Sequence, residues 1–440
     1  METNMYLSTV SEGITFRAVR ETRFKNACIG VHFFFPLKRE FLTLNAILIA
    51  MLRRSCARYP EYNELRRAHA MLYGADSDTS AAIIGNCQMI SVEMEMTDDR
   101  FIPDGECISG ECAGLLSEMI FRPAVGDDGG LFRQDDLDVV LRNAEERIKS
   151  LIIDKESYAS HRCYEIMCEG EAAGLEPGGY LEDLPGITRE ALAQAWERML
   201  TSSMVEIIVV GGMDYKPVER IFKKEFGAIT RRPAPLPTPP AYKEAETIRE
   251  VTERVEEKQS RMIMGYRLPV IEPDDRTMAA RLMSLMFGGG TASLLFKHVR
   301  EKLSLCYYCS SSYGRTSGLL FVRSGIDEVN YNQAIDEIKK QLAVIAENAF
   351  SDDEFNAARL VALSAFENIS DSVSSIESWY ANQYLDGCVR TPAQAAERMM
   401  AVTREQLAEC ASLARLDTIY MLSPELSGQS GDEREGGEEP

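Results

Sequence analysis

Positive charge and long apolar runs are both scarce in this chain of 440 residues. Lys and Arg number 48 against 69 Asp and Glu, a formal charge of -21. Such a surface repels phosphate backbones and anionic head groups, which argues against nucleic acid or a membrane as partner. No run approaches the roughly 18 apolar residues of a spanning helix, and the first ten residues have neither a basic start nor an apolar core. A soluble, unexported, cytoplasmic protein is the expectation. Histidine is scarcer still, with His32, His69, His161 and His298 the whole supply. The sequence also has no G-x-S-x-G elbow and no G-K-[ST] phosphate loop, leaving serine hydrolases and P-loop enzymes without support. The 11 cysteines, an odd number scattered through the chain, read as free thiols of a reducing compartment.

What is present is a globular mixture, 45% hydrophobic and 27% charged, long enough for several domains. Its strongest signal is similarity between its halves. Cys28-Ile29-Gly30-Val31-His32-Phe33-Phe34-Phe35-Pro36-Leu37 is an apolar, strand-like run closed by Pro, and Arg261-Met262-Ile263-Met264-Gly265-Tyr266-Arg267-Leu268-Pro269-Val270 repeats its shape. Each precedes a charged turn and an apolar helix, over 41–52 and 277–287. Tyr73 and Tyr307 then introduce strand pairs in which 88–96 answers 318–325. Ile187-Thr188-Arg189-Glu190 matches Val402-Thr403-Arg404-Glu405 near the end of each half. Four matches in order point to an internal duplication. Thr188 and Thr403 are predicted N-caps, and Thr403 with Gln406 and Ser351 with Glu354 have capping-box spacing.

Paired strands followed by amphipathic helices, such as the one carrying Leu137, Val140, Leu141, Ala144 and Ile148, predict an α+β fold. The expectation is two homologous domains, each a mainly antiparallel sheet with helices on one face. They would span 1–230 and 249–426. A proline-rich, semi-rigid linker over 231–248 joins them, and an acidic tail over 427–440 has nothing to bury.

Local motifs give little chemistry. Cys306-Tyr307-Tyr308-Cys309 has C-x-x-C spacing, but residues three apart in a regular strand point to opposite faces, so no functional pair is expected. His161, Cys163 and Cys168 do not converge along one helix, and buried thiols beside an exposed His are expected instead. Gly288-Gly289-Gly290 before a helix lacks the spacing of a nucleotide loop.

The order of elements resembles the pitrilysin/insulinase family of zinc peptidases, in which two homologous α+β domains enclose a cavity. The sharpest piece is Phe287-Gly288-Gly289-Gly290-Thr291-Ala292-Ser293-Leu294-Leu295-Phe296-Lys297-His298-Val299-Arg300-Glu301-Lys302-Leu303-Ser304-Leu305-Cys306-Tyr307, similar to the family's second-domain pattern. In active members the first apolar helix carries H-x-x-E-H, two imidazoles one turn apart with a Glu to activate water. Here the corresponding helix reads Ala46-Ile47-Leu48-Ile49-Ala50-Met51-Leu52. Anchored on Met51-Leu52, the ligands fall on Ala46 and Ala50 and the base on Ile49. Glu145 or Glu146 lies in the region of the family's third ligand, but a solvated helix face is the better reading of both. His298-Val299-Arg300-Glu301-Lys302 imitates the motif, ends in Lys and sits in the wrong domain.

The resemblance therefore implies a degenerate member with no catalytic residue, no metal ligand and no cofactor. It also implies substrate contacts by Arg300 and Tyr307, which in the family reach substrate across the cavity, with Gly288, Gly289 and Gly290 letting a peptide backbone approach. The expected partner is a zinc-bearing homologous peptidase subunit, with a peptide as substrate. The alternative is a stand-alone peptide-binding or scaffold protein, as a homodimer. Deleting the residues after Ser427 should shift the thermal midpoint by no more than a degree or two. A large drop on differential scanning calorimetry would mean that the tail packs.

Overall fold

The computed structural model describes residues 5–126 and 131–425; the expected tail lies outside them. Strands β1 (Met5–Ser11), β2 (Ile14–Arg20), β3 (Asn26–Pro36), β4 (Asp76–Ile84), β5 (Cys87–Thr97) and β6 (Met204–Gly211) form one sheet in the order β1-β2-β6-β3-β5-β4. Strands β7 (Arg249–Val255), β8 (Ser260–Arg267), β9 (Cys306–Gly314), β10 (Leu319–Ile326) and β11 (Arg415–Pro424) form the other, in the order β7-β11-β8-β10-β9. Each sheet is mixed. The pairs β2·β6 and β7·β11 are parallel and the remaining neighbours antiparallel. Strand for strand, the second order repeats β2-β6-β3-β5-β4.

The predicted caps form. Thr188 accepts from the Ala191 N–H at 3.2 Å, and Ser351/Glu354 and Thr403/Gln406 both close capping boxes. On the inner face of the first sheet lie the helices Arg39–Arg54, Ser109–Phe121, Arg189–Ser202 and Lys216–Gly227. They contribute Leu48, Leu116, Leu192 and Phe222 to a core with Val31, Phe33 and Val92. The second sheet buries Met264 and Val322 against Leu282, Ile338 and Leu407 of the helices Thr277–Gly288, Tyr331–Ala346 and Arg404–Leu413.

Each half packs its own core helices on one face of its sheet, as expected, and a helix from the opposite half covers the other face. The helix Lys155–Met167, from the first half, sets Ala159, Cys163 and Met167 against Ile263, Phe321 and Tyr420 of the second sheet. Reciprocally, Val373, Ile376 and Tyr380 of the helix Val373–Ala381 lie on Cys28, Phe34, Ile208 and Val210 of the first. This exchange explains why β3 reads as a nearly continuous apolar run, since a strand buried on both faces has no solvent side to alternate toward. The linker has no regular structure between residues 231 and 248. Its first residue is anchored: the buried Arg231 guanidinium donates to the Leu200 and Ser203 carbonyls.

Where the first crossed helix ends, its last carbonyls meet two cations. Arg267 donates to the Met167 carbonyl at 2.7 Å, to Asp417 at 2.6 Å and to Glu171 at 2.8 Å. Arg249 also reaches the Met167 carbonyl, at 2.8 Å, and Asp417, at 2.7 Å. Cations at a helix C-terminus complement its dipole, and here they also tie one half to the other. Arg267→Ala strips a buried carboxylate of one partner and should cost about 3 to 5 kcal/mol, read as a fall in the urea midpoint. Arg249→Ala, whose side chain is 37% exposed against 6% for Arg267, should cost less. Equal losses would contradict this account.

Candidate functional site

The positions aligned with the missing zinc motif converge on a cavity of about 700 Å³. Ala46, Ile49, Ala50 and Arg53 recur at helical spacing, so the helix Arg39–Arg54 presents them on one face to this space. The edge strand β4 contributes Thr79 and Ala81. Opposite, the long helix Gln134–Ile153 contributes Val140, Asn143, Ala144 and Arg147. Glu145 and Glu146 are not among the lining residues, and Glu145 is instead half-exposed and paired with Lys149 at 2.5 Å. The helical face that a third ligand would need carries an amide and a guanidinium in this chain.

Around the cavity stand Arg53, Arg54, Arg66 and Arg147. Arg53 donates to the Ser77 carbonyl and pairs with Asp78, Arg54 pairs with Asp136, and Arg66 with Asp76. Arg147 donates to the Gly178 carbonyl at 2.7 Å. The cavity's one lining carboxylate, Glu176, takes His161 Nε2 at 2.9 Å. Burial is the largest influence and raises its pKa, but the hydrogen bonds from His161 and the Gly178 N–H, with the charges of His161 and Arg147, together hold the carboxyl below its ordinary value. His161 is thus half-buried and engaged, not exposed. Its neighbours Cys163 and Cys168 are buried, with desolvation pushing the Cys168 thiol up to about 12. The lining offers hydrogen-bond donors and an apolar floor, with no imidazole and no thiolate. It suits holding a polar chain and lacks the means to activate water.

The remaining predicted residues lie on the second half. Arg300 belongs to a seven-residue π-helical segment, Phe296–Lys302. It is 42% exposed, with its guanidinium 4.6 Å from the Phe296 ring centre. Tyr307, on the edge strand β9, is 58% exposed, and its hydroxyl donates to Asp327 at 3.3 Å. Neither lines the cavity at Ala46. Neither is a core residue, and Arg300 also pairs with Glu301 at 3.9 Å. Gly288 closes the helix Thr277–Gly288 where a Cβ would meet the Ser311 N at 2.4 Å, so its close approach is to β9. Gly290 has φ +141, and a Cβ there would meet nothing within 4 Å. Gly289 follows the helix as its C-cap.

The expectation that Cys306 and Cys309 point to opposite faces is overturned. A bulge where β9 pairs with β10, between Gly325 and Ile326, breaks the alternation. Both cysteines therefore face the second core, at 9% and 6% exposure, while Tyr307 points outward. The Cys309 thiol, hydrogen-bonding to Cys306, holds the Cys306 thiol below its ordinary value. His32, with no role assigned from sequence, lies against Glu377 of the other half. The available signal was a lone imidazole inside an apolar run.

Comparison with known proteins agrees with this geometry. A family model described as "Peptidase M16 inactive domain" matches residues 186–361. The chain is 26% identical over 411 residues to the "Probable inactive metalloprotease YmfF" of Bacillus subtilis, covering 93% of this chain and 96% of that one. It is 24% identical over 238 residues to an uncharacterized zinc protease of Streptomyces coelicolor, covering 52% of this chain and 51% of that one. A conserved protein from Enterococcus faecalis superposes with a TM-score of 0.86 at 25% identity, over 96% of this chain and 99% of its own. A peptidase M16 inactive domain from Pseudomonas fluorescens shares the fold, with a TM-score of 0.76 at 16% identity over the same shares.

Because Ala46 and Ala50 are only half-buried and open onto the cavity, the double variant Ala46→His/Ala50→His should fold, with a thermal midpoint within a few degrees of the parent. It should hydrolyse no peptide, since Ile49 and Asn143 supply neither base nor third ligand. Chelator-sensitive turnover by this variant would contradict the site as described.

Proposed function

Because this chain belongs to the pitrilysin/insulinase (M16) peptidase family in a form without the H-x-x-E-H zinc motif, we infer that it is the non-catalytic partner of a zinc-bearing homologous peptidase. Its part is to hold peptide and to supply Arg300 and Tyr307 to the shared site. One observation carries the reading. The cavity beneath the degenerate helix is open and lined by donors, while Ala46, Ile49 and Ala50 at its floor have lost every group that hydrolysis needs. Selection for a folded scaffold alone would be free to fill such a space with larger side chains.

The edge strand β4 beside the cavity pairs with β5 on one side only, the arrangement to which an extended peptide adds as a further strand. Arg300 and Tyr307 are exposed on the second half, where a neighbouring chain or its substrate could reach them. An Arg offers fixed donors to a carbonyl or carboxylate, and a Tyr hydroxyl donates to a developing oxyanion. The reading also takes the two halves as an internal duplication, supported by the repeated strand order. A stand-alone peptide-binding or scaffold role, as a homodimer, is the competing function.

Reconstitution with the zinc-bearing homologue tests the proposal. Arg300→Ala removes a charge-assisted hydrogen bond worth roughly 1.5 to 3 kcal/mol, on the order of 10- to 100-fold in the pair's kcat/KM. Tyr307→Phe should cost less. Both variants should still fold and co-elute with the partner. Unchanged turnover in both would remove the assisting role.

A further inference from the structure

On the first sheet's outer face, strand register assembles a polar centre in an otherwise apolar contact. Glu206, His32 and Ser91 stand opposite one another across β6, β3 and β5, and in the next row Gly30 stands opposite Glu93, which stands opposite Asp78 of β4. Onto these rows the helix Val373–Ala381 of the other half lowers Glu377. A Cβ on Gly30 would collide with its carboxylate, so the glycine leaves the space that the carboxylate enters. His32 Nδ1 bonds to the Ser91 hydroxyl at 2.7 Å, which directs Nε2 at Glu377. One ligand atom each of His32, Glu93 and Glu377 lies within 4.8 Å of the others.

Charge at this centre does not balance. Arg17, at 2.7 Å, neutralises Glu206, which leaves Glu93 and Glu377 facing a single imidazole. Glu377 is fully buried, and its Oε2 has no hydrogen-bond partner, although a buried carboxylate oxygen without one is costly. Burial, and next the charge of Glu377, push the Glu93 carboxyl up to about 7. Of the three, Glu93 is the least buried, and Asp78 and Glu95 on the same face are exposed carboxylates, Asp78 paired with Arg53.

We propose that His32, Glu93 and Glu377 form a binding site for a divalent transition-metal ion that clamps the two halves together. One imidazole nitrogen with two carboxylates is a donor set suited to zinc and its neighbours, while Mg²⁺ and Ca²⁺ favour oxygen alone. The ion would neutralise both carboxylates and occupy the unpartnered oxygen of Glu377. Ser91, by fixing the imidazole through its other nitrogen, is the positioning residue. Sequence reading assigned no metal ligand here because residues 32, 93 and 377 share no local spacing. The site lies on the opposite face of the sheet from the degenerate helix, and neither Ala46 nor Ala50 contributes to it.

The test uses the full chain, stripped with chelator, dialysed and titrated with Zn²⁺ or Mg²⁺ against a weak competing chelator, with metal content read by mass spectrometry. One Zn²⁺ per chain, no stoichiometric Mg²⁺, and a thermal midpoint that rises with Zn²⁺ are expected. His32→Gln and Glu377→Gln should lower affinity at least 100-fold, and Ser91→Ala 10- to 100-fold. If those variants fail to fold, the partly exposed Glu93→Gln keeps the question open to measurement and should also lose at least 100-fold. Co²⁺ loaded in place of Zn²⁺ should give a visible d–d band that Glu93→Gln abolishes. Absence of stoichiometric Zn²⁺ in the parent chain, or uptake undiminished in Glu93→Gln, would overturn the proposal.

Discussion

Each half of this protein completes the other's sheet. An α+β layer with helices on one face leaves a sheet surface exposed, and β3 and β8 are too apolar for water. Here the exposed faces are covered by helices sent across from the opposite half, Lys155–Met167 in one direction and Val373–Ala381 in the other. Burial of Phe34, Ile208, Phe321 and Tyr420 makes this contact favourable. Polar groups within it, Arg267 with Glu171 on one side and His32 with Glu377 on the other, fix its register. The cavity at the degenerate helix depends on this frame, because Gln134–Ile153, which walls it, leads directly into the crossed helix Lys155–Met167.

With the frame held in that way, the groups that hydrolysis needs are missing at the level of single side chains. The helix Arg39–Arg54 keeps its place and its face, and substituting Ala46, Ile49 and Ala50 for ligands and base removes the hydrolytic chemistry without closing the space. What stays around that space is a ring of guanidinium groups, most already paired, and an open strand edge. On the proposed function, these are the groups that would hold a peptide.

Much of the fold was legible because it is written locally. Capping boxes at Ser351 and Thr403 and the apolar runs that became β3 and β8 depend on neighbours a few residues apart. Less legible was whatever depends on long-range register. The bulge that turns Cys306 and Cys309 to one face is set by pairing with β10, so strand periodicity alone gave the opposite answer. Crossed helices look from sequence like any amphipathic helix, since periodicity reports an apolar face and not the sheet that receives it. His32, Glu93 and Glu377 are joined only by sheet register and a helix from the other half. In the site, Ala46, Ile49 and Ala50 were found by alignment to a motif, whereas Asn143 and Arg147 opposite them follow from the angle at which two helices meet.

The central claim is that this chain works as the non-catalytic half of a two-chain peptidase. Its most direct test is purification of the native, untagged protein from its own host, followed by mass determination of the intact assembly and sequencing of whatever accompanies it. The account predicts an equimolar complex with a homologous chain of similar length that carries H-x-x-E-H. Recovery of this chain as a monomer or a homodimer, with no such companion, would contradict it.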